Sequence, residues 1–290
     1  MFQTLFRRLQ EAVRGKPAPI SPMSTNPAVA PDNARRNTMA PSDQLCAISD
    51  VGRVRDHNED LVYLSDDGRM MIVADGMGGH AAGEVASALA IAAIREHLGA
   101  LPAADAETLQ QAMCDAMEAA QERVLAASQE ASQDSGGTRR MGCTLILACI
   151  HDDTFYLCHV GDVRGYLWSG QQLRALTNDH SVVAELVAVG VLTRDEARAH
   201  PDKNEVLRAI GMAVGFAPEM NLCPLNSGDR VLLCSDGLWE MLSDQEIADA
   251  MGSDGSMRQI ATQLVDRANH SGGNDNISVV LYEHRGRNTR

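Results

Sequence analysis

The residue pattern predicts an α+β fold with antiparallel sheets and segregated helices, on three observations. Strand-like apolar runs follow one another on short connections, the helical stretches come in groups, and no repeat of fixed period runs through the 290 residues. A βαβ alternation would interleave the two kinds of segment instead.

The runs 45–49, 61–64 and 70–74 are short, rich in Leu, Ile, Val and Met, and bounded by Asp or Gly, so each reads as a strand. Helices follow at 84–98, where Val85, Leu89, Ala92, Ala93 and Leu98 recur at helical spacing, and at about 106–130. Three strands come next, 143–150, 154–160 and 164–168, separated by only a few polar or glycine residues. The pattern returns to helix near 181–190, to strand at 231–234, to helix at 244–251 and 257–269, and closes on a strand at 277–282. Ahead of the first strand, residues 15–43 hold Pro17, Pro19, Pro22, Pro27, Pro31 and Pro41 among Ser, Thr and Asn with no apolar period, the composition of a disordered linker. Before it, Phe2, Leu5, Phe6, Leu9 and Val13 fall at helical spacing beside Arg7, Arg8 and Arg14. This is either a basic amphipathic helix for weak contact with a membrane or partner through residues 1–16, or a frayed tail without a role. The expected layout is a basic segment and linker over 1–42, one folded domain over 43–285 and a disordered tail over 286–290.

Composition narrows the function. An apolar fraction of 44% is ample for a packed core. The net charge of −14 is unevenly spread: Arg7, Arg8, Arg14, Lys16, Arg35 and Arg36 outnumber Glu11 and Asp32 at the start, which leaves the folded part strongly acidic. Such a surface excludes a nucleic-acid-binding core, because phosphate affinity needs a basic face, and it suits a cation site. Seven cysteines, an odd number without a C-x-x-C pair, read as buried reduced thiols of a cytoplasmic protein. No run approaches the ~18 apolar residues of a membrane span, and no signal-peptide pattern is present.

The stretch Val73-Ala74-Asp75-Gly76-Met77-Gly78-Gly79-His80 ends an apolar run on an acid and then turns glycine-rich. A lone Asp-Gly is usually a turn, as expected of Asp67-Gly68 and Asp254-Gly255. Asp75 has company, however. Val231-Leu232-Leu233-Cys234 runs into Ser235-Asp236-Gly237, Asp275-Asn276 precedes Ile277, Glu59-Asp60 precedes Leu61, and Val160 leads into Gly161-Asp162. Five aspartates at strand ends, brought to one rim, would either hold protons or gather a cation. An all-oxygen set suits Mg²⁺ or Mn²⁺ better than zinc. Gly76 lets its own carbonyl reach a metal, and the glycines around it let the chain leave tightly.

In order along residues 45–283 stand Gly52-Arg53-Val54-Arg55-Asp56-His57-Asn58-Glu59-Asp60, Ala74-Asp75-Gly76-Met77-Gly78-Gly79-His80, Met141-Gly142-Cys143-Thr144-Leu145, His159-Val160-Gly161-Asp162-Val163-Arg164, Leu176-Thr177-Asn178-Asp179-His180-Ser181, Leu207-Arg208-Ala209-Ile210-Gly211, Ser235-Asp236-Gly237-Leu238-Trp239 and Asp275-Asn276-Ile277. Together these resemble the metal-dependent Ser/Thr protein phosphatases, the PPM or PP2C-type family, in its bacterial branch. The resemblance implies a four-layer α-β-β-α sandwich, two stacked antiparallel sheets flanked by helices, with two Mn²⁺ or Mg²⁺ ions at one end and a third, weaker site. It implies that Asp75 bridges the metal pair, that the Gly76 carbonyl binds one ion, and that Asp236 and Asp275 hold the other. Asp60 would anchor water at the metals, Asp162 with Asp236 would hold the third ion, and Arg55 would grip the substrate phosphate. The chain departs from the pattern at Val163 (usually Ser), at Cys143 (often Thr), and at Met77, where eukaryotic relatives place a histidine proposed as general acid. His80 could donate that proton, or serve a structural or substrate-orienting role. In the family, residues 182–206 correspond to a flap beside the catalytic centre. The function implied is hydrolysis of phosphoserine and phosphothreonine in proteins, opposing a Ser/Thr kinase and acting on that kinase or its substrates, by a monomer that is cytoplasmic or peripheral at the inner membrane face. A silent phosphoprotein-binding pseudophosphatase and a small-molecule phosphohydrolase are the alternatives on the same scaffold.

Overall fold

The central strands are buried on both faces, and this stacks the chain in four layers. The computed structural model describes residues 36–39, 43–78, 82–99, 105–134 and 141–286. Its strands are β1 (Arg36–Met39), β2 (Leu45–Asp50), β3 (Leu61–Leu64), β4 (Met70–Met77), β5 (Gly142–His151), β6 (Thr154–Val160), β7 (Arg164–Ser169), β8 (Gln172–Ala175), β9 (Glu219–Pro224), β10 (Arg230–Cys234) and β11 (Ile277–Glu283). Its helices are α1 (Ala82–Leu98), α2 (Ala106–Asp134), α3 (Val182–Ala188), α4 (Arg194–Arg198), α5 (Asp236–Trp239), α6 (Asp244–Met251) and α7 (Met257–His270). One antiparallel sheet has the order β1-β2-β11-β10-β7-β8, the other β3-β4-β5-β6-β9. The expected sandwich is the observed architecture.

Period-2 alternation places each strand's residues in two cores. Along β4, Met70, Ile72 and Ala74 face Ala86, Ala90 and Ile94 of α1 and Met113 and Met117 of α2, while Met71 and Val73 point between the sheets. The other sheet mirrors this. Leu232, Cys234, Val279 and Leu281 meet Ile247 and Met251 of α6 and Ile260 and Leu264 of α7, and Val231, Leu233 and Val280 close the middle layer. With both faces covered, the strands read as unbroken apolar runs, which is why the sequence exposed them so clearly. Capping boxes fix the starts of α6 and α7, through Ser243 with Glu246 and Ser256 with Gln259.

Three strands and two helices escaped the sequence reading. The strands β8 and β9 are edge strands with mostly exposed or half-buried residues, so they carry no apolar run. The helices α4 and α5 are five and four residues long, too short for a period. The edge strand β1 lies inside the stretch read as linker, pairing Arg36 with Ser49 through to Met39 with Cys46. Ordered structure therefore begins before Leu45, because a ladder of backbone hydrogen bonds on an open sheet edge asks little of side-chain pattern. The amphipathic segment at 1–16, the linker residues 17–35 and 40–42, and residues 287–290 lie outside the described residues. No helix among the described residues is long and apolar enough to cross a membrane.

Candidate active site

Strand register brings the acids of both sheets to one rim. In β3 and β4, Leu61 pairs with Ala74, so Asp60, just before β3, and Asp75, just after Ala74, sit at the same end of their sheet. In the other sheet Cys234 pairs with Val279, which puts Asp236, beyond β10, near Asp275, ahead of β11. Asp162 lies in the link from β6 to β7, whose first residue Arg164 also pairs with Cys234. The two sheet ends are joined by hydrogen bonds: Ser235 Oγ donates to Asp60 Oδ2 at 2.6 Å, and the Glu59 amide donates to Asn276 Oδ1 at 2.7 Å.

Asp75 does not end its strand as expected. The β4 ladder continues through Asp75 opposite Thr144 and Gly76 opposite Cys143 to Met77 opposite Gly142. Gly76 is there for close approach. A Cβ on it would stand 2.3 Å from the Gly83 carbonyl oxygen of α1 and 2.6 Å from that of Glu59, so the strand, the helix and the Asp60 loop touch at this point. The freedom to turn appears one residue after Met77, where Gly78 takes φ +148°.

The carboxylates crowd one another. Burial first, then Asp60, Asp236, Asp162 and Asp275, push the Asp75 carboxyl well above its ordinary value. Asp236 is raised likewise, by burial and then by Asp162, Asp275 and Asp60. Burial raises Asp60 to about 7 against the hydrogen bond from Ser235, and Asp162 to about 6 with Asp179 adding to the rise. Asp236 Oδ1 is buried with no hydrogen-bond partner. A set of converging oxygens with one orphaned atom and excess negative charge fits hard divalent cations, whose charge would relieve every one of these strains.

Arg55 stands at the solvent side, with half its side chain exposed, and its Nη2 donates to Asp275 Oδ2 at 2.6 Å. Asp162 is backed by an ordered stack: Trp239 Nε1 donates to its carbonyl at 3.0 Å, Arg164 lies over the Trp239 ring at 3.6 Å, and Asp179 holds that guanidinium by two hydrogen bonds. His80 lies outside the described residues. The structure also brings in Ser235 and Asn276, which sequence reasoning did not single out. Asn276 Nδ2 reaches the carbonyls of Val51 and His57, both at 2.9 Å, and so clamps the loop that carries Arg55 and Asp60. Their only signal in the sequence was adjacency to an acid. The thiols offer no nucleophile: all seven cysteines are free, and burial raises the pKa of each.

The electrostatics predict a pH dependence for the metal-free chain. A carboxyl whose folded pKa is raised contributes its stability below the unfolded value near 4, and that contribution is lost as pH rises through the folded value. Asp162 and Asp60 place the loss at about 6 and about 7. In chelator the thermal midpoint is expected to fall from about pH 5 to about pH 8, and added Mn²⁺ to raise it most at the upper end. A Mn²⁺ increment that shrinks with rising pH would refute the crowding.

The chain is similar to known proteins over most of its length. A family model described as protein phosphatase 2C matches residues 53–281. The chain is 38% identical over 242 residues to the serine/threonine phosphatase stp of Listeria welshimeri serovar 6b, covering 81% of this chain and 93% of that protein. A crystal structure of the Mycobacterium tuberculosis serine/threonine phosphatase PstP/Ppp matches with a TM-score of 0.75 at 36% identity, over 83% of this chain and 98% of that one. The catalytic domain of the serine threonine protein phosphatase PstP in complex with 2 manganese ions matches with a TM-score of 0.72 at 34% identity, over 83% and 97% of the two chains.

Proposed function

The chain belongs to the protein phosphatase 2C family and is a protein-serine/threonine phosphatase dependent on Mn²⁺ or Mg²⁺; from that premise we propose the roles of its residues. Asp75 and the Gly76 carbonyl, with Asp236 and Asp275, hold the ion pair, and Asp162 joins Asp236 in a third, weaker site. The observation that carries this assignment is the convergence of acids from both sheets on one rim, with Asp236 Oδ1 left unpartnered. When bound, the ions lower the pKa of water and neutralise charge on the phosphoryl group. The chain's own residues do the rest. Ser235 fixes the Asp60 carboxyl through Oδ2, which leaves that acid oriented toward Asp75 to position the attacking water. Arg55 presents an exposed guanidinium to the phosphoryl oxygens, the planar fork that suits such anions. Met77 cannot donate a proton to the leaving serine or threonine oxygen, so His80 or solvent must.

The substrates are phosphoproteins, and relatives named serine/threonine phosphatase or protein phosphatase over most of the chain favour turnover above the silent-binder and small-molecule alternatives. We assign the catalytic domain to residues 43–285, acting as a monomer in the cytoplasm, with a Ser/Thr kinase or that kinase's substrates as partners and residues 1–16 as a weak contact to membrane or partner. The experiment is Mn²⁺-dependent release of phosphate from a phosphothreonine peptide by the full chain; no release at saturating Mn²⁺ refutes the function. Arg55→Ala is expected to raise KM about tenfold or more on both the peptide and p-nitrophenyl phosphate, since a charged hydrogen bond contributes about 1.5–3 kcal/mol. An unchanged KM would leave Arg55 only as the partner of Asp275.

A further inference from the structure

Behind Asp162 lies a second polar cluster that the reaction has not used. His159 on β6 is cross-strand from Glu219 on β9, and His180 stacks on His159 with ring centroids 4.7 Å apart. Both rings are buried. His180 makes a two-way clamp on the residue before Asp162: its backbone amide donates to the Gly161 carbonyl at 2.9 Å, and the Gly161 amide donates to its Nδ1 at 3.1 Å. Its carbonyl meanwhile accepts from the Leu207 amide at 2.7 Å. His180 and Leu207 flank the segment 181–206, so one residue joins the root of that excursion to the Asp162 turn. The other ring nitrogen, Nε2, lies 3.2 Å from Glu219 Oε1, outside hydrogen-bond alignment, and Arg208 Nη1 reaches the same oxygen at 3.2 Å. Gly161 leaves no space for a side chain at this turn. It holds φ +104°, and a Cβ there would stand 2.3 Å from the Thr144 Cβ, on the strand residue paired with Asp75.

His159, His180 and Glu219 each offer a donor atom within 4.8 Å of the others, close enough to suggest an ion. Hydrogen-bond polarity argues otherwise. Nδ1 of His180 already uses its lone pair on the Gly161 N–H, so the ring proton of a neutral imidazole sits on Nε2, which then has no lone pair for a metal. Metal-bound histidines show the reverse, donating from the second nitrogen. Burial lowers His180 to about 4, and the ring is therefore neutral at physiological pH.

We propose that His180 is a positioning residue for Asp162, holding the Gly161–Asp162 turn through Nδ1 while the Glu219 carboxylate, paired with Arg208, stands 3.2 Å from Nε2 on the opposite side of the ring. The inference rests on the assignment of Asp162 to the weaker metal site. Two isosteric variants of the full chain separate the two halves of the ring. In His180→Asn the amide oxygen replaces Nδ1 and can accept from Gly161, whereas in His180→Gln the amide reaches the Nε2 position and leaves Gly161 without an acceptor. Mn²⁺ binding is read by the electron paramagnetic resonance signal of free Mn²⁺, and turnover on p-nitrophenyl phosphate is measured alongside. For the weakest-bound Mn²⁺, His180→Asn is expected within about twofold of the parent and His180→Gln about tenfold weaker, the size typical of groups that orient metal ligands. Equal affinities, or the reverse order, would overturn the proposal. So would one equivalent of zinc in the purified chain that is absent from His180→Asn. If either variant lacks the parent's melting transition, Glu219→Gln carries the test, with a selective loss at the weakest Mn²⁺ site expected and an unchanged site fatal. Because binding is read separately from turnover, a parent chain that binds Mn²⁺ but releases no phosphate would refute the phosphatase function and not the role of His180.

Discussion

Asp236→Asn is expected to lower turnover on phosphopeptide and p-nitrophenyl phosphate by roughly 10³-fold, about 4 kcal/mol at 1.36 kcal/mol per decade, while making the metal-free chain more stable. The two effects share one cause. Asp236 opens α5 at the centre of the carboxylate set, with Oδ1 unpartnered and with Asp162, Asp275 and Asp60 all raising its pKa. Its charge is useful when a cation is present and a burden when none is. The sign follows from linkage: a raised folded pKa means that ionisation opposes folding, so near neutral pH the neutral amide removes a repulsion, and near pH 5 it removes less. In chelator the variant should therefore melt above the parent by about 2–4 °C for each kcal/mol relieved, with the gap narrowing toward acid. In Mn²⁺ the order should reverse, because the parent gains more from the ion. Calorimetry with and without Mn²⁺ at two pH values tests all of this. A variant that melts below the parent in both states would mean that Asp236 is structural, and one that turns over normally would remove it from the metal site.

What the sequence revealed was the positions of the acids; what it hid was the frame that aims them. Asp75, Asp236, Asp275, Asp60 and Asp162 were legible because each abuts a strand buried on both faces, and such strands announce themselves as apolar runs. Ser235 and Asn276 were not legible, because their work is done across 175 and 217 residues, through hydrogen bonds to Asp60 and Glu59 that no local pattern encodes. The edges failed for a related reason. Neither the exposed Gln172-Leu173-Arg174-Ala175 nor the polar Arg36-Asn37-Thr38-Met39 has an apolar face to show, and each is held in its sheet by backbone pairing. The stretch with a linker's composition thus holds an edge strand that no apolar run announces. His180 and Glu219 converge only because β9 lies beside β6, and β9 was itself unseen. Gly76 is the instructive middle case, since its importance was readable and its reason was not. The run into Asp75-Gly76 suggested a strand ending on a turn, whereas the ladder passes through both residues.

That correction carries the second large expectation, for Gly76→Ala. If Gly76 served only to turn the chain, an alanine with negative φ would be tolerated, and Gly76 has no positive φ to forbid it. The contacts forbid it instead. The new methyl would overlap two backbone carbonyls, those of Gly83 and Glu59, and backbone cannot swing aside as a long side chain can. Either α1 withdraws, which opens the core around Ala86 and Ala90, or the 51–60 loop withdraws, taking Arg55, Glu59 and Asp60 with it. Overpacking of this kind costs about 1–3 kcal/mol when neighbours can adjust, and here the adjustment itself dismantles the site, so about 3 kcal/mol or more is expected. Mn²⁺ affinity and turnover should fall together with the melting temperature. Gly170→Ala provides the contrast. Its φ of +55° strains any side chain, yet nothing lies within 4 Å, so only about 1–2 kcal/mol of backbone cost is expected and Mn²⁺ binding should be untouched. If Gly76→Ala behaves like Gly170→Ala, the junction of strand, helix and loop is softer than this packing implies. If it melts near the parent yet loses Mn²⁺, the loop has moved and the helix has held, which would place the order of the metal site in the seating of the 51–60 loop against β4.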